Sequence, residues 1–151
     1  MTFIIDKFKG KYAFLSNFYP SPIKPFRDNI TYPTVEHAFQ ACKTMDFTIR
    51  QEIADQPTPG KAKRLGRAVD LRPDWNLVKE NFMYYALKEK FKNPKLRKQL
   101  LDTGDEELIE GTTWHDNIWG NCSCPKCKNI PGQNRLGKLL MQIREEIKNS
   151  Q

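Results

Sequence analysis

The chain has 151 residues and a net charge of +7, with 38% hydrophobic and 28% charged residues, a composition typical of a soluble globular protein of one domain. No segment approaches the roughly 18 apolar residues of a membrane-spanning helix, and Asp6 and Lys7 interrupt the N-terminus too early for a signal peptide. We therefore expect a cytoplasmic protein with no membrane partner. The positive charge favours anionic partners such as phosphates, nucleotides or nucleic acid, although it also suits a solvated, lysine-rich surface.

The N-terminal part of the chain has the composition of strands. Residues 2–8 and 12–18 are rich in aromatic and β-branched residues and flank Gly10, which predicts two strands around a turn. The next segment, 19–29, has three prolines in six residues and is expected to form a loop.

Most of the remaining chain has the apolar spacing of helices. The predicted helices span about 35–45 after the cap Thr34, 47–56 after the cap Asp46, 60–69, Trp75 to Lys92, Pro94 to about Leu101 before Gly104, and 135–147. A short strand is predicted at 107–112, and the polar segment 114–134 is expected to be irregular. The sequence therefore predicts one domain, 1–151, of the α+β class, predominantly helical with a small β-sheet.

The segment TYPTVEHAFQACK, 31–43, carries two stripes on its predicted helix. The apolar stripe, expected to face the core, consists of Val35, Ala38, Phe39, Cys42 and Met45. Glu36, Gln40 and Lys43 form a polar stripe beside it, which points a carboxylate and an amine the same way, roughly 10 Å apart along the axis. On periodicity alone, this polar stripe fits a solvated face as well as a functional site.

Two other predicted helices have apolar faces of their own. In the 75–92 helix the expected buried face consists of Val78, Phe82, Tyr85 and Phe91. In the C-terminal helix it consists of Leu136, Leu139, Leu140, Ile143 and Ile147.

Six ordered motifs carry a resemblance to a known family. They are FLSNFYPSPI at 14–23, YPTVEHAFQACK at 32–43, LRPDWNLVK at 71–79, KFKNP at 90–94, HDNIWGNC at 115–122 and GQNRLGKLLMQIR at 132–144. Together they resemble the NADAR family, also called YbiA-like, over nearly the whole chain. The combination is specific because the motifs are several, ordered and suitably spaced.

The resemblance implies an N-glycosidase, a hydrolase that cleaves a C–N bond at the anomeric carbon of ribose. The implied substrates are phosphorylated ribosyl-amino-pyrimidine intermediates of riboflavin biosynthesis. A second implied activity removes ADP-ribose from guanine in nucleic acid, and the charge of +7 suits this polyanionic substrate. A third reading is a non-catalytic module that binds ADP-ribose or nucleic acid.

The resemblance also implies catalytic roles for Glu36, Lys43 and Asp116. A carboxylate can stabilise the oxocarbenium-like charge that develops when the bond breaks, or activate water, which suits Glu36 and Asp116. In the family the lysine of the E-H-x-x-Q-x-x-K helix looks like a nucleophile that forms a Schiff base, and here it is Lys43. The sequence leaves open whether Lys43 reacts covalently or holds a phosphate by charge.

A further group is expected to bind substrate. Its members are Asn17, Phe18, Gln40, Arg64, Trp75 and Trp119. Trp75 and Trp119 can stack on a flat base but also suit a core, and Asn17 also suits a turn. Arg64 belongs to a basic segment, 61–67, that either binds phosphate or forms a solvated face.

Cys122, Cys124 and Cys127 form a C-x-C-x-x-C motif, with His115 seven residues upstream. These residues offer four zinc ligands, while reduced cysteines that pack a loop are the alternative. His115 can equally act as a general acid or orient Asp116. The motif looks like a feature of one branch of the family that glycosidase chemistry does not require. We therefore expect no cofactor and no metal, with zinc at these four residues as the alternative.

Overall fold

The computed structural model describes residues 3–151 and contains two compact units. One unit comprises residues 17–93, and the other comprises the described part of residues 1–16 together with 94–151. Within residues 3–151, no helix has the length and apolarity required to cross a membrane.

The 17–93 unit is built from four helices. They are α1 (Val35–Ala41), α2 (Phe47–Ala54), α3 (Pro59–Ala68) and α4 (Trp75–Lys90). Helix α1 is the central element, because it packs against each of the other three helices. Its residues are accordingly buried on all sides, including the polar ones.

Helix α1 begins as expected but ends early. The Thr34 side chain caps it by accepting a hydrogen bond from the backbone N–H of His37. At the other end the N–H groups of Lys43 and Thr44 donate to carbonyls three residues earlier, which tightens the chain into a turn. The helix therefore stops at Ala41, Lys43 lies just beyond it, and the expected core residue Met45 is 68% exposed.

Helix α2 has the cap predicted from the sequence, whereas the cap of α3 was not predicted. Asp46 Oδ1 accepts hydrogen bonds from the N–H groups of Thr48 and Ile49 at the start of α2. Helix α3 begins with Pro59 at its first turn and is capped by the hydroxyl of Thr58, which accepts from Lys61 N–H.

Helix α4 was predicted correctly as an element, but most of its expected buried face was wrong: of the four expected residues, only Phe91 is buried, at 2% exposure. Tyr85 is 56% exposed, and Val78 and Phe82 are only partly buried. The face that the core covers consists of Trp75, Met83, Ala86, Leu87 and Lys90. The true stripe includes a lysine, which apolar periodicity excludes from a predicted core.

The other unit combines two helices with short strands. Its elements are β1 (Ile4–Ile5), a 3₁₀ helix (Gly10–Leu15), α5 (Pro94–Asp102), β2 (Glu107–Leu108), β3 (Gly111–Thr112), β4 (Asn121–Cys122), a 3₁₀ helix (Pro125–Cys127) and α6 (Arg135–Asn149). Strand β1 pairs in parallel with β2, and β3 pairs in parallel with β4. Helix α6 packs against β2 and α5.

The strand predictions needed correction. The first residue of the expected strand 2–8, Thr2, lies outside the described residues, and only Ile4–Ile5 pairs. In the expected strand 12–18, residues 12–15 are instead the end of a 3₁₀ helix, in which Gly10 turns the chain at φ 59° and consecutive Phe14 and Leu15 are both buried. Residues 16–18 form a turn. The expected strand 107–112 is divided into β2 and β3, each with a different partner.

Most of the predicted buried face of helix α6 is confirmed, since Leu136, Leu139, Leu140 and Ile143 are buried. The residue before it, Asn134, ties the strands to this helix: its Oδ1 accepts from Glu110 N–H, and its Nδ2 donates to the Leu108 carbonyl. The chain is thus predominantly helical with small sheets, which confirms the predicted α+β class.

Candidate active site

The polar stripe of α1 is buried. Glu36 and Gln40 are 7% and 4% exposed, and Gln40 Nε2 donates a 2.9 Å hydrogen bond to Glu36 Oε1. Burial of an ionisable carboxyl group costs free energy unless partners or a function compensate it. The solvated-face interpretation of this stripe is therefore wrong for Glu36 and Gln40.

Helix α3 covers this stripe by a close approach at Gly66. A Cβ built on Gly66 would lie 2.1 Å from Gln40 Oε1 and 2.9 Å from Gln40 Cβ. Any side chain at this position would therefore collide with Gln40. The glycine is the feature that allows α3 to lie directly against the polar stripe of α1.

Asn17 lies at the beginning of the same helix. Its carbonyl accepts a 3.1 Å hydrogen bond from Glu36 N–H, and its Nδ2 donates to Met83 Sδ at 3.5 Å. The buried side-chain oxygens of Asn17 and Gln40 have no hydrogen-bond partner among the described residues. Buried polar atoms are normally paired, so these two oxygens are exceptions in the 17–93 unit.

Lys43 follows α1 on the side of Glu36 and is half-buried. Its carbonyl accepts a 2.9 Å hydrogen bond from Arg72 N–H, which fixes the turn. Burial lowers the pKa of the Lys43 amine from its ordinary value; the charge of Glu36 opposes this shift, and Arg67 and Lys63 reinforce it. A lysine in this environment is neutral, and hence nucleophilic, more often than a solvated one.

Helix α3 carries four basic residues, of which Lys63 and Arg67 act on the Lys43 amine. Lys61, Arg64 and Arg67 are exposed and Lys63 is half-buried. The influence of Lys63 and Arg67 on the Lys43 pKa indicates that their charges act on the same region. Arg64 belongs to this helix, so the expected phosphate-binding residue lies on the element that covers the polar stripe.

The aromatic candidates of this unit differ in exposure. Trp75 is 8% exposed, and its ring centroid lies 5.1 Å from that of Phe39, so it packs within the core beside α1. Phe18 is 43% exposed. Phe18 thus offers the more accessible ring of the two.

Asp116 and Trp119 belong to the other unit, in the loop between β3 and β4. Asp116 Oδ1 accepts hydrogen bonds from the N–H groups of Ile118 (3.1 Å) and Trp119 (2.8 Å). One carboxylate oxygen of Asp116 therefore shapes the turn that carries Trp119, whatever further role the group has.

The same loop brings the histidine and three cysteines together. The ligand atoms of His115, Cys122, Cys124 and Cys127 all lie within 4.8 Å of one another. His115 Nδ1 is 3.2 Å from Cys124 Sγ and 3.3 Å from Cys127 Sγ. We call these four residues the Cys/His cluster; they are able to bind a metal ion.

Lys90 is a residue that the sequence analysis did not select. It is 1% exposed, its Nζ lies 5.7 Å from the ring centroid of Tyr19, and burial lowers its pKa to about 7. The sequence did contain a sign of this burial: the spacing of Lys90 from Met83, Ala86 and Leu87 places it on the same face of α4, which is the buried face.

Comparisons with known proteins match residues 3–148 to the NADAR domain. The chain is 42% identical over 139 residues to N-glycosidase YbiA of Escherichia coli strain K12, covering 90% of this chain and 82% of that protein. It is 41% identical over 155 residues to N-glycosidase Npun_R5314 of Nostoc punctiforme, covering 99% and 94%. It is 34% identical over 139 residues to riboflavin biosynthesis protein VVA0006 of Vibrio vulnificus, covering 90% and 36%. The solved structure of Escherichia coli YbiA matches with a TM-score of 0.82 at 39% identity, covering 99% of this chain and 88% of that one.

Proposed function

The chain belongs to the NADAR family, and we propose that this N-glycosidase hydrolyses the bond between ribose and an amino-pyrimidine base in a phosphorylated intermediate of riboflavin biosynthesis. The proposal rests on one arrangement: Glu36 and Gln40 share a buried hydrogen bond, and next to them lies Lys43, whose amine has a lowered pKa. The name of the Vibrio vulnificus relative supports the choice of pathway.

Lys43 acts as the nucleophile in the proposed reaction. Its neutral amine attacks the anomeric carbon, the C–N bond to the base breaks, and the leaving nitrogen takes up the proton that the attacking amine loses. Opening of the sugar ring gives an iminium, which water hydrolyses to free ribose phosphate and the regenerated amine. A lowered pKa favours the first step because only the neutral amine has an electron pair to donate.

Glu36 stabilises the positive charge that develops on the anomeric carbon and acts as a base for the attacking water. Gln40 orients this carboxylate through the hydrogen bond between them. The unpaired oxygens of Asn17 and Gln40 accept hydrogen bonds from sugar hydroxyls or from the amino groups of the base.

Arg64 and Arg67 of α3 bind the substrate phosphate. Arg64 and Arg67 are exposed there, and a guanidinium pairs well with phosphate oxygens. In the other unit, Asp116 and Trp119 are further candidates for catalysis and base stacking, as in the family pattern.

A second candidate is removal of ADP-ribose from guanine in nucleic acid. The net charge of +7 favours it, because a polyanion releases counterions when it binds a positively charged surface. This activity would fall steeply with rising salt, whereas hydrolysis of a small metabolite with one phosphate would change much less.

Reductive trapping tests the proposed function. The protein is incubated with ribose 5-phosphate or ADP-ribose in the presence of a borohydride, and the intact protein is weighed. We expect one stable adduct per chain with ribose 5-phosphate, absent from Lys43→Ala and retained by Lys61→Ala. Lys61 is the matched control because it is an exposed lysine of the same basic region.

Three other results would change the proposal. An adduct with ADP-ribose alone favours the second candidate. An adduct that survives in Lys43→Ala removes the nucleophilic role from this residue. Absence of any adduct, together with no base release from either substrate class, indicates a non-catalytic binding module.

A further inference from the structure

We propose that the Cys/His cluster is a structural zinc site that fixes the loop between β3 and β4. Three sulfur atoms and one imidazole nitrogen converge within 4.8 Å. In a tetrahedral site with Zn–S near 2.3 Å and Zn–N near 2.0 Å, ligand atoms lie about 3.5–3.8 Å apart. The two distances from His115 Nδ1 to sulfur, 3.2 and 3.3 Å, are slightly shorter than this, and no ligand pair exceeds 4.8 Å, so shifts of about 1 Å or less would form the site.

The backbone of the loop is arranged for this convergence. His115 has a φ of 68°, a left-handed conformation that residues other than glycine adopt rarely. In this conformation its N–H donates to Cys122 Sγ at 3.3 Å, while its ring reaches Cys124 and Cys127. An N–H donor to a ligand sulfur is the usual support of a metal-bound thiolate.

The second half of the site is a tight turn. Cys124 immediately precedes the 3₁₀ helix Pro125–Cys127 and Cys127 is its last residue; Cys127 N–H donates to the Cys124 carbonyl at 3.0 Å. This turn directs two thiols of a C-x-x-C segment to the same point. A disulfide between any two of the three thiols would leave the third unpaired, whereas a metal ion uses all of them.

The donor set selects the metal. Three thiolates and one imidazole in tetrahedral order suit Zn²⁺, and four protein ligands leave no open position for a substrate, which is typical of a structural site. Binding releases three thiol protons and leaves a net charge of −1 on the site. Lys126 and Lys128, which lie beside the ligands in sequence, offset this charge.

The site holds a segment that also contains Asp116 and Trp119. Asn117 Oδ1 accepts a 2.9 Å hydrogen bond from Cys122 N–H, and Ser123 N–H donates to the Thr112 carbonyl at 2.9 Å. His115 immediately precedes Asp116, so a ligand bond to His115 restricts the aspartate as well. The metal thus positions Asp116 and Trp119 for glycosidase action, and this last step rests on the proposed function.

Metal analysis of the purified chain tests the site directly. Protein prepared under reducing conditions with Zn²⁺ and then desalted is expected to carry one zinc per chain by elemental analysis. Replacement by Co²⁺ should give the visible bands of a tetrahedral site and the charge-transfer absorption of thiolate ligands. Cys124→Ser and Cys127→Ser should lose the metal, while Cys42→Ala, which removes the thiol outside the cluster, should keep it.

Hydrogen exchange tests the role of the metal in the loop. Removal of zinc should speed amide exchange in residues 112–127 and leave residues 35–68 unchanged. A chain that keeps no zinc, or that keeps it after Cys124→Ser, overturns the site. A chain that binds zinc without any change in exchange overturns the positioning role. A zinc-bound chain with no glycosidase activity contradicts the proposed function alone.

Discussion

Gln40 donates a hydrogen bond of 2.9 Å to Glu36, one helical turn away, and both side chains are buried. Gln40→Met keeps the length of the side chain and removes its donor. We expect kcat/KM to fall about 10- to 100-fold, the size typical of losing a partner that orients a reacting group. Steady-state hydrolysis kinetics with the proposed riboflavin-pathway substrate measure this change.

Helix α2 provides a matched control for this substitution. Gln51 donates to Asp55 with the same spacing of four residues, but both residues are exposed. Gln51→Met should leave kcat/KM unchanged within about twofold, since an exposed pair of this kind contributes only about 0.2–0.5 kcal/mol. Equal losses in the two variants would show that the Gln40 effect is not specific to the buried stripe.

Gly66 determines how closely α3 approaches α1. In Gly66→Ala the new methyl group would lie 2.1 Å from Gln40 Oε1, so the two helices must separate or Gln40 must move. We expect the free energy of unfolding to fall by about 1–3 kcal/mol, as for other overpacked sites, and activity to fall as well. Urea unfolding followed by circular dichroism measures the first effect.

The control for Gly66 lies on the same helix. At Gly60 the nearest atom to an added Cβ is Thr58 Oγ1 at 3.9 Å, which is ordinary contact. Gly60→Ala should therefore be neutral or stabilise the protein by up to about 1 kcal/mol, because alanine reduces the freedom of the unfolded chain. If both variants lost the same stability, the close approach at Gly66 would not be the cause.

The pH dependence of the reaction should follow the Lys43 amine. Burial lowers the pKa of Lys43, and the charges of Arg67 and Lys63 lower it further. If the neutral amine attacks, kcat/KM rises with pH through this pKa. Arg67→Gln removes one of the positive charges, so the pKa rises and the rising limb moves to higher pH.

Lys61→Gln is the control for the shift in the pH profile. It removes an exposed positive charge of the same basic region that is not among the causes of the Lys43 shift. In this variant kcat/KM should rise over the same pH range as in the unmodified protein, even if phosphate binding weakens. A limb that does not move in Arg67→Gln would contradict the assignment of this limb to Lys43.

The contrast between α1 and its surroundings shows what the sequence could predict. Periodicity placed Glu36, Gln40 and Lys43 on one side of a helix, because that relation depends only on residues within two turns. It could not show that this side is buried, because the covering contact comes from Gly66, which is distant in sequence. Periodicity left a solvated face open and the family resemblance predicted a functional face; the structure shows that this side is buried at Glu36 and Gln40.

The strand predictions failed for a related reason. Aromatic and β-branched composition predicted strands at 2–8 and 12–18, but a strand also requires a partner with free backbone groups. Residues Ile4–Ile5 find one in β2, whereas Gly10–Leu15 turns on itself. The burial of Lys90 was not predicted, because buried helix faces are recognised from apolar residues and Lys90 is charged.

The buried Lys90 makes a prediction about stability and pH. Its pKa is lowered from 10.5 to about 7 by burial, so between these values the folded chain has released a proton that the unfolded chain retains. Stability therefore rises with pH across this window by up to about 1.4 kcal/mol per pH unit from this residue. Below pH 7 both states bind the proton, and above pH 10.5 neither does, so the contribution becomes flat.

Lys90→Met should remove this dependence and leave the rest of the profile in place. Urea unfolding at pH 6, 7, 8 and 9 measures it as a difference between the two proteins, which cancels the contributions of other groups. Lys92→Met is the control, because the Lys92 side chain is 69% exposed and its charge remains solvated in both states. If the unmodified protein and Lys90→Met gain stability equally between pH 7 and 9, the Lys90 amine is charged in the folded chain and a counter-charge compensates its burial.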